Sequence, residues 1–155
     1  MEGMKKKFEE IIGRYPMKRS ALLPILSLIQ KEKGHLANDA IEEVAEFLGL
    51  TPVEVREVAT FYTMFNLKPG GKYHIQVCNN LSCSLLGAEY LIGYLEERLQ
   101  IRVGETTPDH LFTLTTVECL GSCGTAPVMQ VNEEYYENLT KEKVDAILEK
   151  LRNNL

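Results

Sequence analysis

KYHIQVCNNLSC, residues 72–83, decides the fold. Tyr73, Ile75 and Val77 alternate with polar neighbours, the two-residue period of a strand with one buried face. The alternation runs directly into Cys78, and Cys83 follows at a C-x4-C spacing. A second pair, Cys119 and Cys123, stands in VECLGSCGTAPVMQVN, residues 117–132, at a C-x3-C spacing. The chain of 155 residues has 4 cysteines, so the two pairs account for all of them.

The sequence around these pairs reads as alternating elements. After Cys83, Leu85, Ala88, Ile92, Leu95 and Leu99 step by three and four, which predicts a helix. A short extended piece is expected around Ile101 to Val103. HLFTLTTVEC then predicts a strand running into Cys119, and VMQVN a third strand. Tyr135-Tyr136 starts a fourth after a turn at Asn132 to Glu134. Thr140 is placed to cap a closing helix that turns Val144, Ile147, Leu148 and Leu151 inward. The order strand–helix–strand–strand–strand–helix suits an α/β sandwich with a small mixed sheet, and a thioredoxin-like fold satisfies it. If the first two strands lie side by side and parallel, both cysteine loops leave the same end of the sheet.

Upstream the pattern is helical. Met4, Phe8, Ile11, Ile12 and Tyr15 share one face of a helix over residues 1–15. SALLPILSLIQKEKG predicts a second helix, with Ser20 as N-cap, Pro24 in its first turns and Gly34 as its stop. Asn38 or Asp39 is expected to cap a third, with Ile41, Val44, Ala45 and Leu48 on one face and Gly49 at its end. Thr51-Pro52-Val53-Glu54 is a capping box with proline at the first helical position. It opens a fourth helix striped by Val55, Val58, Ala59 and Tyr62, which runs into the aromatic segment FYTMFNL, residues 61–67. The expected architecture is α/β: a small helical bundle over residues 1–70, then a thioredoxin-like domain over residues 71–155, divided at Pro69-Gly70-Gly71. FYTMF packs at a helix end on this reading, although a docking surface is the alternative. Lys5-Lys6-Lys7 reads as a solvated first turn.

Charge narrows the function. Net charge is −5, which gives a nucleic-acid partner no electrostatic support. Residues 1–70 carry 10 basic and 10 acidic side chains and residues 71–155 carry 7 and 12, so all the excess acidity lies with the cysteines. No run of about 18 apolar residues exists to span a bilayer. The N-terminus turns acidic before any apolar run of signal-peptide length. The expected location is the cytoplasm, with a membrane approached only through a larger complex. Paired cysteines in a reducing compartment point to metal binding before disulfides.

Three chemistries compete for the four thiols. Structural zinc takes four cysteines, but its sites are usually built on a tight C-x2-C knuckle. Dithiol exchange uses C-x-x-C at a helix N-terminus, a spacing neither pair has. A [2Fe-2S] cluster needs two thiolates on each of two irons, and two separate pairs suit one pair per iron. Gly121 and Gly124 allow a tight loop whose N–H groups reach the sulfurs. His35 reads as structural or solvated, and His74 and His110 are not expected as ligands when four cysteines are at hand. Pro127 precedes a strand, as a proline does in thioredoxin-like folds, and its isomer is not legible in sequence.

The strings ATFYTMF, VCNNLSC and VECLGSCGTAPVMQVN resemble the small [2Fe-2S] subunits of NADH:quinone oxidoreductases, a family of thioredoxin-like ferredoxins. The resemblance runs from KRSALLPIL, residues 18–26, to the C-terminal helix. It implies a [2Fe-2S] cluster held by Cys78, Cys83, Cys119 and Cys123. It also implies a larger partner subunit that carries FMN and binds NADH, with further iron–sulfur subunits beyond it. This fits the absence of any G-x-G-x-x-G fingerprint or P-loop in this chain. The expected role is single-electron transfer within an oxidoreductase complex, with no complete substrate site in the chain itself. Related subunits serve in bidirectional or electron-bifurcating hydrogenases and NAD-linked formate dehydrogenases, and a zinc-stabilised interaction module is the alternative of another class. With Glu118 beside Cys119 and an acidic domain around the site, the expected carrier has a low potential.

Overall fold

The computed structural model describes residues 2–154. The chain divides into two compact units, Met1–Pro69 and Gly70–Leu155. No described helix is long and apolar enough to cross a membrane.

The first unit is helical. α1 (Glu2–Ile12) leads to a 3-10 turn (Lys18–Ala21), then α2 (Leu22–Lys33), α3 (Asn38–Leu48) and α4 (Pro52–Phe61). The Thr51 capping box forms in full: Glu54 N–H donates to Thr51 Oγ1, and Thr51 N–H donates to the Glu54 carboxylate. Gly34 and Gly49 end α2 and α3 in the left-handed region, with φ of 81° and 69°. Phe8, Ile25, Leu26, Ile41, Val44 and Val55 form the core. Burial along one stripe of each helix, rather than helix propensity, holds such short helices together.

Two expected caps are corrected. Ser20 lies within the 3-10 turn, so α2 starts at Leu22 behind Ala21, with Pro24 in its first turn. At α3 the N-cap is Ala37, and Asp39 instead accepts from the N–H of Ala40 at 2.9 Å. The first helix also stops at Ile12, short of Tyr15. FYTMF divides its side chains: Phe65 is buried, whereas Phe61 and Met64 face solvent. Gln30 fixes the segment, donating to the Met64 carbonyl at 2.7 Å and accepting from Asn66 N–H at 2.5 Å.

The second unit is a two-layer α/β structure. Its elements are β1 (Tyr73–Cys78), α5 (Leu81–Leu85), α6 (Ala88–Leu99), β2 (Phe112–Val117), β3 (Met129–Val131), β4 (Glu134–Tyr136) and α7 (Lys141–Asn153). The sheet order is β2-β1-β3-β4. β1 pairs in parallel with β2, from Tyr73↔Phe112 to Cys78↔Val117, and antiparallel with β3. One face packs Ile75, Val77, Leu114 and Met129 against Leu91 and Leu95 of α6 and Val144 and Leu148 of α7. The other face presents His74, Gln76, Thr113 and Thr115, all half-buried. That alternation is what a sheet with one core-facing side requires. Thr140 caps α7 by accepting from Lys143 N–H.

Around Ile101 to Val103 the chain turns instead of extending. Gln100 ends α6 with a positive φ of 56°. Glu96 then accepts from Val103 N–H at 3.0 Å and Glu105 from Arg102 N–H at 2.7 Å. Carboxylates thus satisfy the donors that a strand ladder would have taken.

Candidate iron–sulfur site

Strand register brings the two cysteine pairs to one place. Cys78 is the last residue of β1, and its partner Val117 is the last of β2, so both connections leave the same sheet end. Cys83 is not in a loop, as its sequence suggests, but on the short helix α5. Asn80 opens that helix by accepting from Leu81 N–H at 2.8 Å, and Ser84 Oγ closes it onto the Asn79 carbonyl at 2.9 Å. Five residues are too few for a helical period to show in sequence. Cys119 lies two residues beyond β2, and Cys123 opens a 3-10 turn, Cys123–Thr125. The cis peptide Ala126–Pro127 follows, and Cys78 N–H donates to the Val128 carbonyl at 3.1 Å.

The thiols of Cys83 and Cys119 help to lower the pKa of Cys78, while the charges of Cys78 and Cys123 help to raise that of Cys83. Burial pushes the Cys78 thiol up. The backbone around Asn80 and Leu120, with the Cys83 and Cys119 thiols, outweighs it and holds Cys78 below the ordinary thiol range. Burial pushes the Cys83 thiol up, and the neighbouring Cys78 thiol adds to that. No disulfide joins any of the four. Gly121, with φ of 73°, donates its N–H to Cys119 Sγ at 3.3 Å, which a residue with a Cβ would adopt only under strain. Gly124 has no such φ and no such contact, so that half of the glycine expectation falls away.

Access to the two pairs differs. Cys78 and Cys83 are 3% and 2% exposed, packed with Ala88, Ala126 and Val128, whereas Cys119 and Cys123 reach solvent. Around the buried pair, Leu81, Leu85 and Leu86 stand 70%, 77% and 59% exposed, an apolar collar that the sequence reading missed. Of the histidines, His74 sets Nε2 2.7 Å from Thr115 Oγ1, and His110 sits in a turn with φ of 55°. His35 is half-buried in the first unit.

A model of the thioredoxin-like [2Fe-2S] ferredoxins matches residues 8–152. The chain belongs to that family. It is 52% identical over 149 residues to an NADH-quinone oxidoreductase subunit of Rhizobium meliloti, covering 96% of this chain and 89% of that one. To NADH-quinone oxidoreductase subunit 2 of Thermus thermophilus it is 50% identical over 147 residues, covering 93% and 81%. Among solved structures, an NAD+-reducing [NiFe]-hydrogenase in its air-oxidised state superposes with a TM-score of 0.74 at 24% identity. That match covers 84% of this chain and 23% of the hydrogenase chain, and it speaks for the fold alone.

A [2Fe-2S] cluster is the cofactor of this ferredoxin family, and the donor set here fits it. Among the described residues, no three His, Cys, Asp or Glu side chains gather closely enough to hold a single ion. A two-iron cluster makes a different demand, four thiolates divided between its irons.

Proposed function

We propose that Cys78 and Cys83 hold one iron of the cluster, Cys119 and Cys123 the other, and that the chain relays single electrons inside an NADH:quinone oxidoreductase-type complex. The observation that carries this reading is the parallel register of β1 and β2, which sends both cysteine segments out of the same end of the sheet. When bound, the cluster supplies one-electron redox chemistry that no side chain here offers. The chain's own residues bind and insulate it. Ala88, Ala126 and Val128 shield one pair from water, and Gly121 N–H lends a fixed positive dipole to Cys119. The acidic surroundings, Glu118 included, disfavour added negative charge and so favour a low potential.

The electron source we propose is FMN in a larger NADH-binding subunit, since this chain has no nucleotide-binding fingerprint of its own. Two surfaces suit such a partner. The leucine collar beside Cys83 would exclude water from an electron-transfer contact, and Phe61 and Met64 offer an apolar grip on the first unit. We assign residues 1–70 to docking and residues 71–155 to the cluster. The proposed location is the cytoplasm, at a membrane only through the complex. The relatives named above favour the quinone-reducing complex over a hydrogenase or formate dehydrogenase.

Low-temperature EPR of the chemically reduced, anaerobically purified chain, with iron and sulfide analysis, tests the cluster. About two irons and two sulfides per chain with a spin-half signal are expected, and Cys83→Ala should lose both. An EPR-silent protein holding one zinc would replace electron transfer with an interaction module. Reduction by NADH only in the presence of the co-purified flavoprotein would establish the partner.

A further inference from the structure

Ser122 and Thr125 bracket Cys123, and both hydroxyls point to one carboxylate. Ser122 Oγ and Thr125 Oγ1 donate to Glu137 Oε1, the latter at 2.6 Å, and the hydroxyls lie 2.8 Å from each other. Glu137 belongs to the segment between β4 and α7, 15 residues from Ser122 and 12 from Thr125. That segment is itself anchored. Asn138 N–H donates to the Thr125 carbonyl at 2.7 Å and Leu139 N–H to the Pro127 carbonyl at 3.1 Å. Lys143 Nζ donates to the carbonyls of Glu137 and Asn138 at 3.4 and 2.9 Å. Tyr135 OH reaches the Leu120 carbonyl at 3.3 Å, inside the same cysteine loop.

The loop needs such a brace. Residues 119–125 hold two glycines, one at positive φ, and glycines leave a backbone with many alternatives. Both cysteines of the loop are solvent-exposed, so no core packing fixes their direction. An ionised carboxylate is the strongest acceptor a side chain can offer to two hydroxyls at once. The Ser122 and Thr125 hydrogen bonds hold the Glu137 carboxyl below the usual carboxylate range.

We propose that Glu137 is a positioning residue for the cluster. It locks the Ser122–Thr125 turn and thereby sets the direction in which Cys123 presents its sulfur. This rests on Cys123 being a ligand, as proposed above. A surface hydrogen bond that merely closes a turn would affect fold stability but not the hold on iron, and that difference can be measured.

The experiment is iron release to an excess of a ferrous chelator from the full reduced chain, alongside EPR line positions and thermal unfolding. Supporting residues around a metal site typically change its hold on metal by about 10–100-fold. Glu137→Ala should therefore release iron about tenfold faster, with shifted or broadened lines. Glu137→Gln keeps a carbonyl acceptor for both hydroxyls and should stay near the unmodified chain. Ser122→Ala with Thr125→Val should reproduce Glu137→Ala, and combining all three should add nothing further, because one linkage is being broken. Glu133→Gln, which removes an equal charge from the exposed turn before β4, is the control. Wild-type release from Glu137→Ala would overturn the proposal. So would full additivity of the two sets, or an equal effect from Glu133→Gln. If Glu137→Ala does not fold, Ser122→Ala carries the same comparison. An unmodified chain that contains no two-iron signal would refute the ligand assignment instead, so the two failures are distinguishable.

Discussion

His74 shows how a residue can be set by the sheet rather than by the site. Its ring lies on the half-buried face of β1 against Thr115 Oγ1, and burial holds its pKa below the ordinary 6.5. The folded chain therefore prefers the neutral ring. Above pH 6.5 both states leave it neutral and the fold keeps its full stability. As pH falls below that value the unfolded chain takes up the proton first, and stability drops until the folded pKa is passed. Urea midpoints measured from pH 7.5 down to 5 should fall less for His74→Gln than for the unmodified chain. Equal slopes would mean that the ring is not shielded. That both cysteine segments leave one end of the sheet was legible in the sequence, because each pair directly follows a strand with a clear two-residue period. Glu137 was not, because one acid among 22 Asp and Glu carries no periodic signal and its partners lie 12 and 15 residues away.

Among the elements, β1 is the one whose start is sterically fixed. A Cβ on Gly71 would lie 2.7 Å from both N and C of Phe112 and 2.8 Å from the Leu111 carbonyl carbon, all backbone. Gly71→Ala must therefore push the β1 and β2 entries apart, and overpacking of this kind costs about 1–3 kcal/mol. Gly93, on the exposed side of α6, meets nothing within 4 Å. Gly93→Ala should stabilise by about 0.5–1 kcal/mol through helix propensity alone. Urea unfolding of the two variants should shift in opposite directions, and a loss in both would sink the steric account. Elements with a period or an explicit stop were readable: the capping box at Thr51, the glycine ends at Gly34 and Gly49, the alternation in β1. Those decided by tertiary competition were not. A 3-10 turn claimed Ser20, and Glu96 and Glu105 satisfied the donors of the turn near Ile101.

Over the whole molecule, the two units have separate cores. Among the described residues, one runs from Phe8 to Phe65 and the others lie between Ile75 and Leu151. Scanning calorimetry should resolve two transitions, and stripping iron with a chelator should lower only the one that belongs to residues 71–155, because a ligand stabilises the unit that binds it. A single transition shifted as a whole would refute independent unfolding. The division between Pro69 and Gly70 falls where turn-forming residues interrupt two different periodicities.

The parallel register of β1 and β2 has a consequence for biosynthesis. Parallel neighbours need a crossover, so Cys119 and Cys123 cannot join Cys78 and Cys83 until α6 has been laid between them. At about 5–20 residues per second, the ribosome delivers Cys123 about 2–9 s after Cys78. For that interval the nascent chain offers only Cys78 and Cys83, at the junction of β1 and α5. On the proposed ligand set, loading on four thiolates waits until β2 has paired with β1, and Cys119 and Cys123 are then the pair left open to solvent.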